Sequence, residues 1–227
     1  MRYLALAADY DGTLATDGVV DGETVAALRR LSTSGRKLIL VTGRQLGDLL
    51  RAFPQVSIFD AVVAENGAVL YRPGSQETRV LAPPPSPRFV EALKNRGVGP
   101  LWVGQVVVAT VQPNETAVID AIRELGLDLQ VILNKGSVMV LPTSVDKASG
   151  LRAALDELAL LPQSIVAIGD AENDQAFLAV CGCGVAVANA LDALKAGANH
   201  VTRGEAGAGV REVIDGLITE DRPQPGC

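Results

Sequence analysis

Short runs of small apolar residues, each closed by polar ones, recur along the chain. They are "LALAA" at 4–8, "KLILV" at 37–41, "IVAIG" at 165–169 and "GVAVA" at 184–188. Apolarity that is continuous rather than alternating predicts strands buried on both faces, as in a parallel sheet. The segments between them read as helices. Residues 22–35 place Val25, Leu28 and Leu31 on one helical face, with Asp21 as a cap and Gly35 as a stop. Residues 45–53 form a second helix, ended by Pro54. Residues 59–71 read as a strand, a turn at Asn66-Gly67 and a short strand back. Strands joined through helices imply parallel pairing with right-handed crossovers.

The pattern changes at "LAPPPSPRF" (81–89), whose prolines break helix and sheet alike and mark a boundary. Beyond it come a helix over 87–97 and a strand-like stretch over 101–111, with a possible tight turn at Gly104-Gln105. A capped amphipathic helix over 114–126 and a hairpin over 129–142 around Lys135-Gly136 follow. The strand–helix alternation then resumes, with helices at 146–160, 174–180 and 209–218. The fold expected is therefore α/β: a Rossmann-like parallel-sheet core, residues 1–82 and 145–227, split by a small α+β unit over 83–144. The polar, Pro-rich "TEDRPQPGC" at the end is expected to be loose.

Composition narrows the function classes. The 227 residues are 48% hydrophobic but only 4% aromatic, which suits a core of Ala, Val, Leu and Ile. A net charge of -6 argues against general affinity for nucleic acid or anionic membranes, yet leaves room for a locally positive site. No apolar run reaches membrane-spanning length, and Asp9 interrupts the first one, so a cytoplasmic protein is expected. Three cysteines without framework spacing, Cys181, Cys183 and Cys227, suggest a reducing compartment, with Cys181 and Cys183 as small buried residues. The single histidine, His200, reads as a loop or surface residue, and no nucleophile-elbow pattern accompanies it.

Three buried-strand candidates end in polar residues: Asp9, Thr42-Gly43-Arg44 and Asp170. Ligands of an open parallel sheet bind beyond the carboxyl ends of its strands. The fold should thus gather Asp9, Asp11, Thr42, Asp170 and Asp174 around one crevice. One Asp after a strand is ordinarily a cap, and one Thr-Gly-Arg a turn. Several acids converging on one edge instead repel each other and pay desolvation, a cost that a hard divalent cation removes. Lys147, near a helix start where the macrodipole disfavours a cation, supplies the opposite charge and points to an anion shared with the Thr42 loop.

"DYDGTLA" (9–15), "VTGR" (41–44), "DKASGL" (146–151) and "GDAENDQAF" (169–177) resemble, in order, the four motifs of the haloacid dehalogenase superfamily phosphatases. The insert falls between the second and third motifs, where the Cof-type branch (subfamily IIB) carries its α/β cap. "AENGA" (64–68) and "GVAVANA" (184–190) also resemble segments of that branch. The resemblance implies an aspartyl-phosphate on Asp9, with Asp11 first protonating the leaving oxygen and then activating water. It implies Mg²⁺ held by Asp9, the Asp11 carbonyl and Asp170, supported by Asp174. Thr42, the Gly43 N–H and Lys147 would bind phosphate, and Asn173 would orient the phosphate or the metal shell. A carboxylate can attack an anionic phosphate only where cations neutralise the developing charge, so these roles agree with the electrostatics.

The function expected is Mg²⁺-dependent hydrolysis of a small phosphorylated metabolite, a sugar phosphate or a phosphoglycolate-like acid. Nucleic acid and membrane are not expected as partners. A phosphosugar mutase of the same superfamily and a non-catalytic phosphate-binding domain stand as alternatives. Tyr10 resembles the DYDGT of trehalose-phosphate phosphatases, whereas GDAEND is closer to Cof-type, sucrose-phosphatase and archaeal phosphoglycolate-phosphatase sequences, so the two motifs point to different substrates. The Asn134-Lys135-Gly136 turn is a candidate for substrate selection. Glu65 and Asn66 either border the crevice or form a plain turn. The Gly-rich "RGEAGAGV" (203–210) reads as a helix-entry turn, since no βαβ unit precedes it.

Overall fold

The computed structural model describes residues 1–221 and 227; most of the tail expected to be loose lies outside the described residues. Eight strands build the larger sheet: β1 (Ala5–Asp9), β2 (Lys37–Val41), β3 (Ala61–Ala64), β4 (Val69–Arg72), β5 (Glu77–Val80), β10 (Ile165–Gly169), β11 (Cys183–Ala186) and β12 (His200–Val201). A second sheet contains β6 (Trp102–Val103), β7 (Val108–Val111), β8 (Leu129–Asn134) and β9 (Ser137–Pro142). The helices are α1 (Gly22–Thr33), α2 (Leu46–Ala52), α3 (Pro87–Asn95), α4 (Glu115–Glu124), α5 (Lys147–Leu158), α6 (Gln175–Val180), α7 (Asp192–Gly197) and α8 (Ala206–Glu220).

The order in the large sheet is β12-β11-β10-β1-β2-β3-β4-β5, parallel from β12 through β3 and antiparallel from β3 to β5. The chain runs outward from β1 to β2 and β3, then returns to the other flank of β1 as β10. That reversal is the switch point at which α/β sheets open a crevice. β1 and β10 are buried at every position, as their unbroken apolar runs require. The second sheet has its own apolar cluster, in which Phe89 and Leu93 of α3 and Val118 of α4 pack on Val108, Val138 and Val140.

Local chemistry fixes several element ends. Asp21 caps α1 by accepting the Thr24 N–H at 2.7 Å. Asp146 and Ser149 form a reciprocal capping box that starts α5 at Lys147. Gly12 turns the chain at φ 85°, and a Cβ there would meet Asp170 Oδ2 at 2.4 Å.

Two edge strands, β5 and β12, are absent from the sequence reading. β5 is exposed throughout, so nothing in "ETRV" marks a buried strand. His200 opens β12 rather than lying in a loop. The reading of three cysteines without a disulfide framework is also corrected, because Cys183 and Cys227 are paired as a disulfide with Cα atoms 5.4 Å apart. They are 44 residues apart in sequence, and Arg2 helps seat the chain end by donating to the Cys227 carbonyl at 2.6 Å. Cys181 is the free thiol among the described residues, and burial pushes it up to about 12. Among the described residues no helix is long and apolar enough to cross a membrane.

Candidate active site

β1, β2 and β10 end side by side, and their last residues deliver the predicted groups to one place. Asp9 closes β1 and is 4% exposed; Asp170, directly after β10, and Asp174 are fully buried. Single carboxylate oxygens of Asp9, Asp170 and Asp174 all lie within 4.8 Å of one another. Lys147, the first residue of α5, is also buried and donates to Asp9 Oδ1 at 2.5 Å and to Asp174 Oδ1 at 2.6 Å.

Each acid has a distinct set of partners. Asp174 Oδ2 accepts the backbone N–H groups of Asp170 and Ala171 at 2.8 and 2.9 Å, which folds the loop after β10 back on itself. Asp170 Oδ1 accepts the Thr13 hydroxyl at 2.9 Å, and Asp170 Oδ2 accepts from the Lys135 ammonium. Burial, and after it the Asp174 charge, raise the Asp9 carboxyl well above the ordinary carboxylate value, against the pull of Lys147. Burial pulls the Lys147 ammonium down, but Asp174 and Asp9 outweigh it and the group ends above an ordinary lysine. Three carboxylates thus meet two ammonium groups, Lys147 and Lys135, and the cluster stays short of positive charge. The donor set is all oxygen, so the residues fit a hard divalent cation.

Asp11 sits differently. Its carboxylate is about half exposed and is gripped by the Arg44 fork, Nε to Oδ2 at 2.7 Å and Nη2 to Oδ1 at 2.6 Å. Arg44 in turn stacks over the Tyr10 ring, 4.9 Å from its centroid. Tyr10 is wholly buried and donates its hydroxyl to the Gly18 carbonyl at 3.0 Å. Its contact is thus with Arg44 from below, and it does not line the cavity. Thr42 Oγ1 accepts the Arg44 N–H at 3.1 Å, which leaves the hydroxyl proton free to be donated elsewhere.

A cavity of about 300 Å³ opens above Asp9, Asp11, Thr42 and Gly43 and is closed on its far side by Trp102, Lys135 and Met139 of the second sheet. Lys147, Asp170 and Asp174 lie buried beneath this wall, and Asn173 stays off it as well. Its Nδ2 donates to Asn66 Oδ1 at 2.9 Å, so it braces the loop behind Gly43. The sequence reading missed Arg44 as a partner of Asp11, although it stands in the quoted "VTGR". It also left Glu65 undecided. Glu65 is 1% exposed and accepts three backbone N–H groups of the insert, from Gln105, Val106 and Val107, at 2.9, 2.8 and 3.0 Å.

Known proteins resemble the chain along nearly its whole length. The pattern of the haloacid dehalogenase-like hydrolases matches residues 6–109 and 131–214. A phosphoglycolate phosphatase of Methanothermobacter thermautotrophicus is 32% identical over 220 residues, covering 92% of this chain and 96% of that protein. One from Halorubrum lacusprofundi is 33% identical over 225 residues, covering 94% and 97%. The solved structure of a HAD/COF-like hydrolase from Plasmodium vivax superposes with a TM-score of 0.82 at 19% identity, over 96% of each chain.

Proposed function

The chain belongs to the haloacid dehalogenase-like hydrolase family, and from that membership we propose a phosphatase that cleaves a small phosphate monoester of the phosphoglycolate kind. The observation that carries this reading is the buried Lys147 bridge between Asp9 and Asp174, with Asp170 beside it. A structural ion pair would need one acid; two acids on one buried lysine, with a third acid beside them, match a site built for a cation and an anion together.

In this reading Asp9 is the nucleophile. Lys147 holds one of its oxygens at 2.5 Å and fixes the carboxylate's orientation at the end of β1. The Asp9 carboxylate attacks phosphorus, and the bond from phosphorus to the leaving oxygen breaks. Asp11, protonated once it has left one arm of the Arg44 fork, gives its proton to that oxygen, then takes one from the water that hydrolyses the aspartyl-phosphate. Arg44 aims Asp11, and Thr42 with the Gly43 N–H donates to the phosphoryl oxygens. Mg²⁺ is the cation proposed for Asp9, Asp170 and Asp174, where it would supply electrostatic stabilisation of the transferring phosphoryl group.

Residues 83–144 serve as a cap over a core of 1–82 and 145–227. Their separate sheet and apolar cluster support that division. The 82–87 and 142–146 segments are the hinges of this reading. The relatives named phosphoglycolate phosphatase favour a small phosphorylated acid as substrate. A phosphate-release panel with Mg²⁺ tests the proposal, with Asp9→Asn as control. Release abolished in Asp9→Asn supports it; undiminished release refutes the covalent route. Sugar-phosphate isomers interconverting without free phosphate would indicate a mutase.

A further inference from the structure

One charge on the cavity wall has no part in the reaction outlined above. Lys135 lies in a two-residue turn closed by the Asn134–Ser137 pair of β8 and β9. Its φ is 47° and that of Gly136 is 84°, the left-handed pair that a tight hairpin turn of this hand requires. The turn hands the lysine across to the large sheet, where its ammonium meets Asp170 while the side chain stays 46% exposed.

Three cations surround the site, and they are held unequally. Lys147 is buried between two carboxylates. Arg44 engages both oxygens of Asp11. Among the described residues Lys135 pairs with Asp170 alone, and Asp170 belongs to the acidic group that fits a divalent cation. The other oxygen of Asp170 accepts from Thr13. A divalent cation on Asp170 would sit close to the Lys135 ammonium, and two positive charges so close repel.

We propose that Lys135 has two positions: it neutralises Asp170 in the metal-free protein, and metal binding releases it to hold a second anionic group on the substrate. This rests on the phosphatase reading and sharpens it. The substrate class is a phosphate monoester whose leaving group carries a carboxylate, or a second phosphate, a few bonds from the ester oxygen. A cavity of about 300 Å³ accepts such a small molecule with Lys135 at its wall. Metal loading then arms the turn that reads the substrate, so discrimination and metal affinity are linked through one side chain. An exposed turn lysine can be replaced without disturbing either apolar cluster.

The test begins with calorimetric titration of Mg²⁺ alone into the wild type and Lys135→Met. The variant is expected to bind Mg²⁺ roughly threefold or more tightly, because a like charge is gone. The second measurement is the kcat/KM ratio for 2-phosphoglycolate over phenyl phosphate. It is expected to fall roughly tenfold or more in Lys135→Met, the size of a lost charged hydrogen bond, and to recover in part in Lys135→Arg. An unchanged ratio, or Mg²⁺ affinity that is unchanged or weaker, overturns the proposal. If neither ester turns over, the phosphatase reading fails. Calorimetry with 2-phosphoglycolate and Mg²⁺ then decides for Lys135: weaker binding by Lys135→Met supports it, and equal binding overturns it.

Discussion

Replacing Glu65 by Ala should loosen the insert from the large sheet. Glu65 Oε1 accepts the Gln105 N–H, and Oε2 accepts those of Val106 and Val107, at 2.8–3.0 Å. Gln105 is exposed, so water can replace its lost acceptor. Val106 and Val107 are 2% and 1% exposed, and their N–H groups would be stranded. Each stranded donor costs about 1–3 kcal/mol, so Glu65→Ala should lose about 2–6 kcal/mol. At a urea slope of about 2–3 kcal/mol per M, the midpoint should fall by about 1–3 M. Glu65→Gln keeps one acceptor oxygen, which at the Oε2 position still serves Val106 and Val107, so it should lose much less. The single tryptophan, Trp102, lies in the second sheet, so its fluorescence follows the insert while circular dichroism follows the whole chain. The two transitions should coincide in the wild type and separate in Glu65→Ala, with Trp102 melting first. A loss below about 1 kcal/mol with coincident transitions would refute the idea that Glu65 fastens the insert.

Lys147→Met leaves the buried Asp9 and Asp174 without their cation and should cost about 3–5 kcal/mol in urea unfolding without metal; a loss under about 1 kcal/mol would contradict the bridge. Arg44→Lys replaces a two-bond fork on Asp11 by a point charge, so kcat should drop by about tenfold or more, while stability moves by less than about 1 kcal/mol because the pair is partly exposed. A parallel fall in stability would instead make Arg44 structural. Burial disfavours the Cys181 thiolate and pushes its pKa up to about 12. Folded protein at pH 8 should therefore resist iodoacetamide, and unfolded protein should take up label as an ordinary thiol does. Prompt labelling of the folded chain would show that the thiol is open to solvent.

Much of the site was legible because the chemistry lies at strand ends, where two local signals coincide. Buried parallel strands announce themselves as unbroken apolar runs, and the first polar residue after each run must face the crevice. Asp9, Thr42 and Asp170 were found that way, and Lys147 stood out as a cation at a helix start. The hairpin over 129–142 was legible for the same reason, since Lys135-Gly136 interrupts two apolar stretches. β5 and β12 were not legible, because edge strands need no buried face and carry no such run.

What the sequence determined by itself is the order of the buried strands and most helices and the residue types at each buried strand's end, since hydrophobic period, caps and turn residues act over a few positions. Only the tertiary structure decided which charges meet. Arg44 joins Asp11 across 33 residues, Lys135 joins Asp170 across 35, and Glu65 joins the 105–107 backbone across about 40. Those pairings depend on the twist and stacking of two sheets, and charge carries no periodic signature of its partner along the chain. The partners of Arg44, Lys135 and Glu65, and the place of Tyr10 off the cavity wall, therefore come from packing alone.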